Sequence, residues 1–529
     1  MTHQLVFVTL TVLIICLLFS QHKPTSGNSL ASPNQWCSQT PFPQICEQPL
    51  SGHPNSGIVE QKSDFLKLAL QLALDGAVHA QSIVDSLGSK CNDKNEIAAW
   101  LDCRKLYGYT VSRLNKTILT TNCTQIDSQT WLSTALTNLE TCQAGFVELG
   151  VIKHILPLML IDSVGNLIRN ALALNKLLSS KFEVEVSNRY EDDGFFDWVK
   201  PSDQKLLRQP SSSLASQANL VVAKDGSGNY QTIGEAIINA ASKWSGSGRF
   251  VIWVKEGTYI ENVEIGLKNI MLVGDGIGKT IITGSRSVQA GYTTFNSSTV
   301  SITGDGFLSR GITYQNTAGA INKQAVALVS LSDLSAFYQC SFEGYQDTIY
   351  VHSGRQFIRE CDIYGTVDFI FGNAAVVFQK CNIYVRKPIY NINVVTAQGR
   401  TDPNQNTGIS IHNSKVIAAP ELKAVQNGTV CTYLGRPWQK YSRTVFIVSY
   451  LDNLIDPAGW TEWDGNFALD TLYYGEYGNT GDGASTKNRV KWSGYHVLNV
   501  AEASKFTVEN FISGSDWLAS TGVPFDLGL

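Results

Sequence analysis

Two aspartates and three cysteines share one spacing, and that spacing limits what the chain can become. Asp347 and Asp368 stand 21 positions apart, Cys340 and Cys361 also stand 21 apart, and Cys381 follows 20 later. Aromatic and aliphatic residues recur in step: Phe307 with Ile312, Phe337 with Cys340 and Phe342, Phe357 with Cys361 and Ile363, Phe378 with Cys381 and Ile383. The intervals from Ile312 to Phe342, Ile363 and Ile383 are 30, 21 and 20 residues. One variable interval and two near-equal ones suit a solenoid whose loops absorb insertions. A β-sandwich would place strands about every 8–12 residues without stacked self-similarity. The expected fold for residues 218–529 is an all-β right-handed parallel β-helix, with Asp347 and Asp368 side by side on adjacent turns.

The first third of the chain has another period. Phe65, Leu68, Leu72, Ala77, Ile83 and Leu87 recur at helical spacing, and 95–120, 127–149 and 158–181 repeat the pattern with short loops between. This predicts an all-α four-helix bundle within 34–181, with one helix starting at Asp127-Ser128. Pro41 and Pro43, between Cys37 and Cys46, argue against regular helix there. Acidic, proline and serine clusters mark 182–217 as a linker. Leu5 to Phe19 is apolar except for two threonines, short for a bilayer span, so 1–26 reads as a secretory signal peptide, with a signal anchor as the alternative. Its removal takes away Cys16 and leaves an even number of cysteines, suited to an oxidising compartment. Asn115, Asn122, Asn296 and Asn427 lie in glycosylation sequons.

A net charge of −4 argues against a broad basic field, so nucleic acid is not an expected partner. The eight histidines are scattered without Cys/His spacing for a metal, and neither a metal nor an organic cofactor is expected. Gly278-Lys279-Thr280 resembles the end of a P-loop, but Val273 stands where that motif needs glycine. His352, alone near Asp347, reads as a structural or surface residue. The two aspartates carry more information. Asp368 lies inside the apolar run Val367-Asp-Phe-Ile-Phe371, and a carboxylate there is costly to bury unless paired. From the residues alone, turn capping fits them as well as catalysis does.

Five motifs in order make the resemblance specific: Gly257-Thr-Tyr-Ile-Glu261, Gln324-Ala-Val-Ala-Leu328, Gln346-Asp-Thr348, Asp368-Phe-Ile-Phe-Gly372 and Leu434-Gly-Arg-Pro-Trp438. From about Leu220 onward the chain resembles the pectin methylesterases, with Ile349 where the third motif usually has Leu. The resemblance implies that Asp368 is the nucleophile, Asp347 the proton donor and acceptor, and Gln324 and Gln346 the stabilisers of the oxyanion. It implies that Arg436 orients Asp368, and that Thr294, Gln324, Arg436, Trp438, Tyr350, Phe371 and Trp463 contact a methyl-esterified pectin chain. Cys37-x8-Cys46, Cys103 and Cys142 resemble the plant invertase and pectin methylesterase inhibitor domain, implying the bridges Cys37–Cys46 and Cys103–Cys142. The whole resembles a secreted, cell-wall precursor whose partners are pectin, its own inhibitor-like domain or separate inhibitor proteins, and a processing protease. Gln204-Lys205-Leu206-Leu207 departs from the basic site where such precursors are cleaved.

Stacking of adjacent turns favours a Cys340–Cys361 bridge, since the family's alternative partners are here Thr313 and Lys415. Cys91, Cys123, Cys381 and Cys431 are left unassigned. Two other functions compete with the esterase: a catalytically silent polysaccharide-binding solenoid, and a lyase or glycosidase using the same carboxylates.

Overall fold

The computed structural model describes residues 36–52, 61–151, 158–179, 217–244, 248–425 and 429–529. The signal segment, almost all of the linker with Gln204-Lys205-Leu206-Leu207, and Asn427 lie outside the described residues.

Among the described residues, five α-helices precede the solenoid: α1 (Pro43–Gly52), α2 (Lys62–Leu87), α3 (Lys94–Leu119), α4 (Gln125–Glu148) and α5 (Leu158–Ser179). The last four pack in a closed square, α2 against α3 and α5, and α4 against α3 and α5. Asp93 caps α3 in a reciprocal box with Glu96, and Thr124 caps α4 in the same way with Asp127. Asp127 is therefore the third residue of α4 and the start lies at Gln125. Pro43 opens α1, where its missing N–H is no loss. The expectation that prolines keep the Cys37–Cys46 stretch free of helix thus fails in its second half. Cys37–Cys46 and Cys103–Cys142 are bridged, with Cα atoms 5.5 and 4.3 Å apart.

From Leu220 onward the chain coils into three parallel sheets of eleven, eight and seven strands. Helix α6 (Ile233–Lys243), capped by Thr232, packs Ile233, Ala236, Ile237 and Ala240 into the solenoid core. In-register stacking supplies that core: Tyr314, Phe342, Ile363 and Ile383 lie one above another, as do Phe337, Ile358 and Phe378. Two alignments read from spacing shift. Tyr314, not Ile312, is the partner of Phe342, and Phe357 lies one residue out of phase, on the opposite face of its strand. There it packs with Val508, Ile512 and Trp517 of the C-terminal helices. A one-residue slip in a strand exchanges core for exterior, and an aromatic at either position looks alike in sequence.

The Cys340–Cys361 bridge is absent; both thiols are free and buried. Directly stacked residues hold their Cβ atoms near the interstrand spacing of about 4.8 Å, longer than the roughly 3.8 Å a disulfide spans. The sulfur instead serves a ladder. Cys361 Sγ accepts the Cys340 N–H (3.3 Å), Ser414 Oγ that of Cys381 (3.1 Å), and Ser449 Oγ that of Ser414 (3.1 Å). Each of these residues follows one with left-handed backbone, Gln339, Glu360, Lys380, Asn413 or Val448. Cys91, Cys123, Cys381 and Cys431 are also free.

The seven-stranded sheet positions the site. In chain order its strands are β1 (Val263–Ile265), β2 (Val300–Ile302), β3 (Leu328–Ser330), β4 (Ile349–Val351), β5 (Val367–Gly372), β6 (Ile392–Gln398) and β7 (Cys431–Gly435). Leu328, Ile349 and Ile370 point into the solenoid, and Val329, Tyr350, Phe371 and Ala397 form the outward row. That row is buried because the bundle lies on it, in one apolar cluster with Leu136, Leu139 and Phe146 of α4.

Candidate active site

Asp347 and Asp368 both have left-handed backbone, φ 62° and 51°. Aspartate tolerates this conformation better than most residues, and such strain gathers at functional positions. For Asp368 it resolves the cost of a carboxylate in an apolar run. Continuing the alternation back from Phe371 (out) and Ile370 (in) would send Asp368 into the core. The register between β5 and β6 slips between Val367 and Ile370, so Phe369 turns inward and Asp368 turns to the cleft. Gly365 leaves room for Phe369, whose Cβ would lie 2.1 Å from a Cβ added there. The Asp347 N–H donates to Val367 O (3.1 Å), holding the two aspartates on neighbouring turns.

Arg436, just beyond β7, grips Asp368 with two parallel bonds, Nε to Oδ1 (2.9 Å) and Nη2 to Oδ2 (2.6 Å). Trp463 lies over its guanidinium, 4.4 Å from ring to Cζ. Burial pushes both carboxyls up. Arg436 pulls Asp368 back toward ionisation, whereas Asp347, raised by burial, by the Asp368 charge and by Glu148, lies well above the usual carboxylate range. Asp368 stays raised on balance but far less than Asp347, so of the two Asp347 holds its proton the more firmly. Gln324 and Gln346 line the same cavity of about 300 Å³. Tyr350 stacks on Phe371 at 4.2 Å, and Trp438 meets both edge-on, at 6.3 and 5.9 Å.

Every site residue anticipated from sequence lines this cavity, Thr294 included. His352 does not: it is buried, with Thr141 Oγ1 2.9 Å from Nε2 and Ser353 Oγ 3.0 Å from Nδ1, and burial lowers its pKa to about 3. Of the sequons, Asn122 is exposed and Asn115 and Asn296 are half-buried.

Sequence reasoning missed the other half of the cavity wall, which the bundle supplies through Asp102, Thr141, Ala144, Gly145 and Glu148. Helix α4 is its roof. Thr293 Oγ1 donates to Asp102, Thr294 donates to Glu148 from N (2.9 Å) and Oγ1 (2.7 Å), and Thr401 Oγ1 donates to Glu140. Burial raises the Asp102 and Glu140 carboxyls to about 7. Outside the cavity, Arg113 binds Asp305 through Nη1 (2.7 Å) and Nη2 (2.6 Å), and Arg355 Nη2 bridges Asp127 (2.7 Å) and Asp333 (2.8 Å). The available signal was the stripe Thr130, Ser133, Thr134, Thr137 and Thr141, small hydroxyl residues on one face of a helix that is otherwise core.

Fold and site together define a parallel β-helix protein with a paired-carboxylate cleft, roofed by a helical bundle. Residues 219–515 match the Pectinesterase family model, and 31–174 match that of the plant invertase/pectin methylesterase inhibitor. Pectinesterase 2 of Citrus sinensis is 58% identical over 520 residues, 98% of this chain and 99% of its own length. Probable pectinesterase/pectinesterase inhibitor 17 of Arabidopsis thaliana is 58% identical over 518 residues, 98% of each. The solved pectin methylesterase from carrot is 57% identical with a TM-score of 0.58, covering 59% of this chain and 98% of that one. The chain belongs to the pectinesterase family and carries an inhibitor-type bundle ahead of its esterase domain.

Proposed function

We propose that the chain hydrolyses the methyl esters of pectin by a two-carboxylate mechanism and that its bundle restrains that activity. The observation carrying the reading is the unequal pair: Asp368 gripped by two bonds from Arg436, which favours its charged form, beside a buried Asp347 whose pKa is raised much further. Asp368 attacks the C6 carbonyl of a methyl galacturonate, and the carbonyl oxygen becomes an oxyanion facing the amides of Gln324 and Gln346. Each such donor is worth about 3 kcal/mol of barrier in other acyl-transfer sites. Collapse of the tetrahedral intermediate expels methoxide, which takes the proton of Asp347, leaving an acyl-enzyme anhydride. Asp347, now charged, removes a proton from water; the hydroxide attacks the acyl carbon and releases Asp368 and a free uronate. The Tyr350–Phe371 stack and Trp438 offer flat faces to sugar rings, and Thr294 a pair of polar donors.

Restraint by the bundle is supported by α4 lying over the cleft. Gly145 and Glu148 of α4 line the cavity of about 300 Å³ that holds both aspartates, the space a bound polymer would need. Secretion to the cell wall is supported by the two disulfides. Among the described residues no helix is long and apolar enough to cross a membrane.

Product identity is the test. Residues 218–529 are expected to release methanol from methylated pectin without new reducing or unsaturated ends; chain shortening without methanol would favour a glycosidase or lyase. The full chain is expected to be slower than 218–529 at equal concentration, and equal rates would argue against restraint.

A further inference from the structure

Glu148 is the last residue of α4, a position where a carboxylate opposes the helix dipole. The residue is exposed, but the protein packed around its carboxylate still raises the carboxyl's pKa. The helix end and the partial desolvation of the carboxylate both count against its charge. What it gains is Thr294: both carboxylate oxygens are engaged, one by the backbone N–H at 2.9 Å and the other by Oγ1 at 2.7 Å. The same carboxylate faces the catalytic cavity and adds to the pressure that keeps Asp347 protonated. A bundle that only needed to cover the cleft has its apolar contact and its arginine pairs for that purpose. An anion held beside the catalytic pair needs another reason.

The reason follows from the substrate class, and so rests on the pectin reading of the site. Every sugar of the polymer carries a carboxyl group, esterified before reaction and free after it. When one sugar lies over Asp368, its neighbour places a carboxyl group a few ångströms away along the cleft. We propose that Glu148 is a pseudosubstrate: its carboxylate takes the place of a free uronate carboxylate at Thr294, so that the bundle and already de-esterified pectin compete for the same two donors. A demethylated stretch then displaces the roof helix, and a fully methylated stretch, whose ester lacks the charge, does so poorly. The product of one turnover opens the protein for the next.

The test uses the intact chain and an unesterified oligogalacturonide, which offers carboxylates but no ester to consume. Hydrogen exchange of α4 is followed as the oligosaccharide is added, with a neutral oligogalactan as control. The wild type is expected to lose protection over α4 with the oligogalacturonide and not with the galactan. Glu148→Gln keeps the shape and removes the charge, and should open at roughly 10- to 100-fold lower concentration, the worth of a charged pair of hydrogen bonds. An α4 that stays protected against the oligogalacturonide in the wild type overturns the proposal, whether or not the variant folds. So does equal response of wild type and Glu148→Gln. Methanol release by residues 218–529 separates the two levels: with methanol and no competition only the pseudosubstrate role falls, and with no methanol the underlying reading falls.

Discussion

Replacing Arg113 by Met asks how firmly the bundle is held, without touching the catalytic residues. Arg113 leaves α3 with its side chain 10% exposed and meets Asp305 of the solenoid, itself 16% exposed. It makes two short bonds to the carboxylate and a third to Leu331 O at 3.2 Å. Breaking a buried pair by removing one partner costs about 3–5 kcal/mol, chiefly because the remaining charge is stranded. Here Lys116 Nζ, 2.8 Å from Asp305, keeps part of the compensation, which lowers the expected loss to about 2–3 kcal/mol. All three bonds cross from bundle to solenoid, so the loss falls on docking and not on the folding of either part. At about 1.4 kcal/mol per factor of ten, the docked-to-open ratio should fall roughly 30- to 150-fold. Methanol release by the full-length variant should rise toward that of residues 218–529, with faster hydrogen exchange over α4. If the variant is as slow as the wild-type chain while 218–529 is fast, the ion pair does not hold the roof and the reasoning is refuted.

Further outcomes follow from the same geometry. Gly145 lies against Thr293, whose Cγ2 would be 3.3 Å from an added Cβ; Gly145→Leu should wedge α4 off the cleft and raise full-chain activity without altering any charge, and unchanged activity would mean that coverage is not what restrains it. Docking should depend on pH. Asp102 and Glu140 are raised to about 7 when docked, and Glu148 is raised too, so docking takes up protons: their support is full below about pH 4 and is lost as pH climbs through about 7. Asp305 is depressed by Arg113 and Lys116 and works the other way, weakening docking below about pH 4. Exchange of α4, corrected for intrinsic rates, should therefore be slowest near about pH 4 and quicken as pH climbs toward about 7; a flat profile would contradict the protonation argument. Arg436→Gln removes the charge that offsets burial of Asp368, so that carboxyl's pKa rises further. In residues 218–529 activity should fall about 10- to 100-fold and the acidic limb of the pH profile should move to higher pH; a fall without that movement would leave Arg436 with a positioning role alone.

Much of this architecture was legible because it obeys local periods. The long helices announce themselves through Phe65, Leu72 and Leu87, and the 21-residue step from Asp347 to Asp368 is one turn of the solenoid. What escaped is what no local period encodes. Phe357 and Ile358 are both plausible core residues, and only the register chooses between them. The Cys340–Cys361 spacing is equally compatible with a bridge and with a hydrogen-bond ladder; Cβ separation decides for the ladder. Asp368 reaches the cleft through a bulge that reverses strand parity, which a pattern of alternation reads the wrong way. Glu148 was invisible because its partner, Thr294, lies 146 residues away in another fold.

The central claim is that Asp368, gripped by Arg436, is the group that attacks the ester. Methanol release from methylated pectin by residues 218–529 should be abolished by Asp368→Ala, with the far-ultraviolet spectrum and melting cooperativity of the solenoid retained. Near-normal turnover by the folded Asp368→Ala variant would contradict the account.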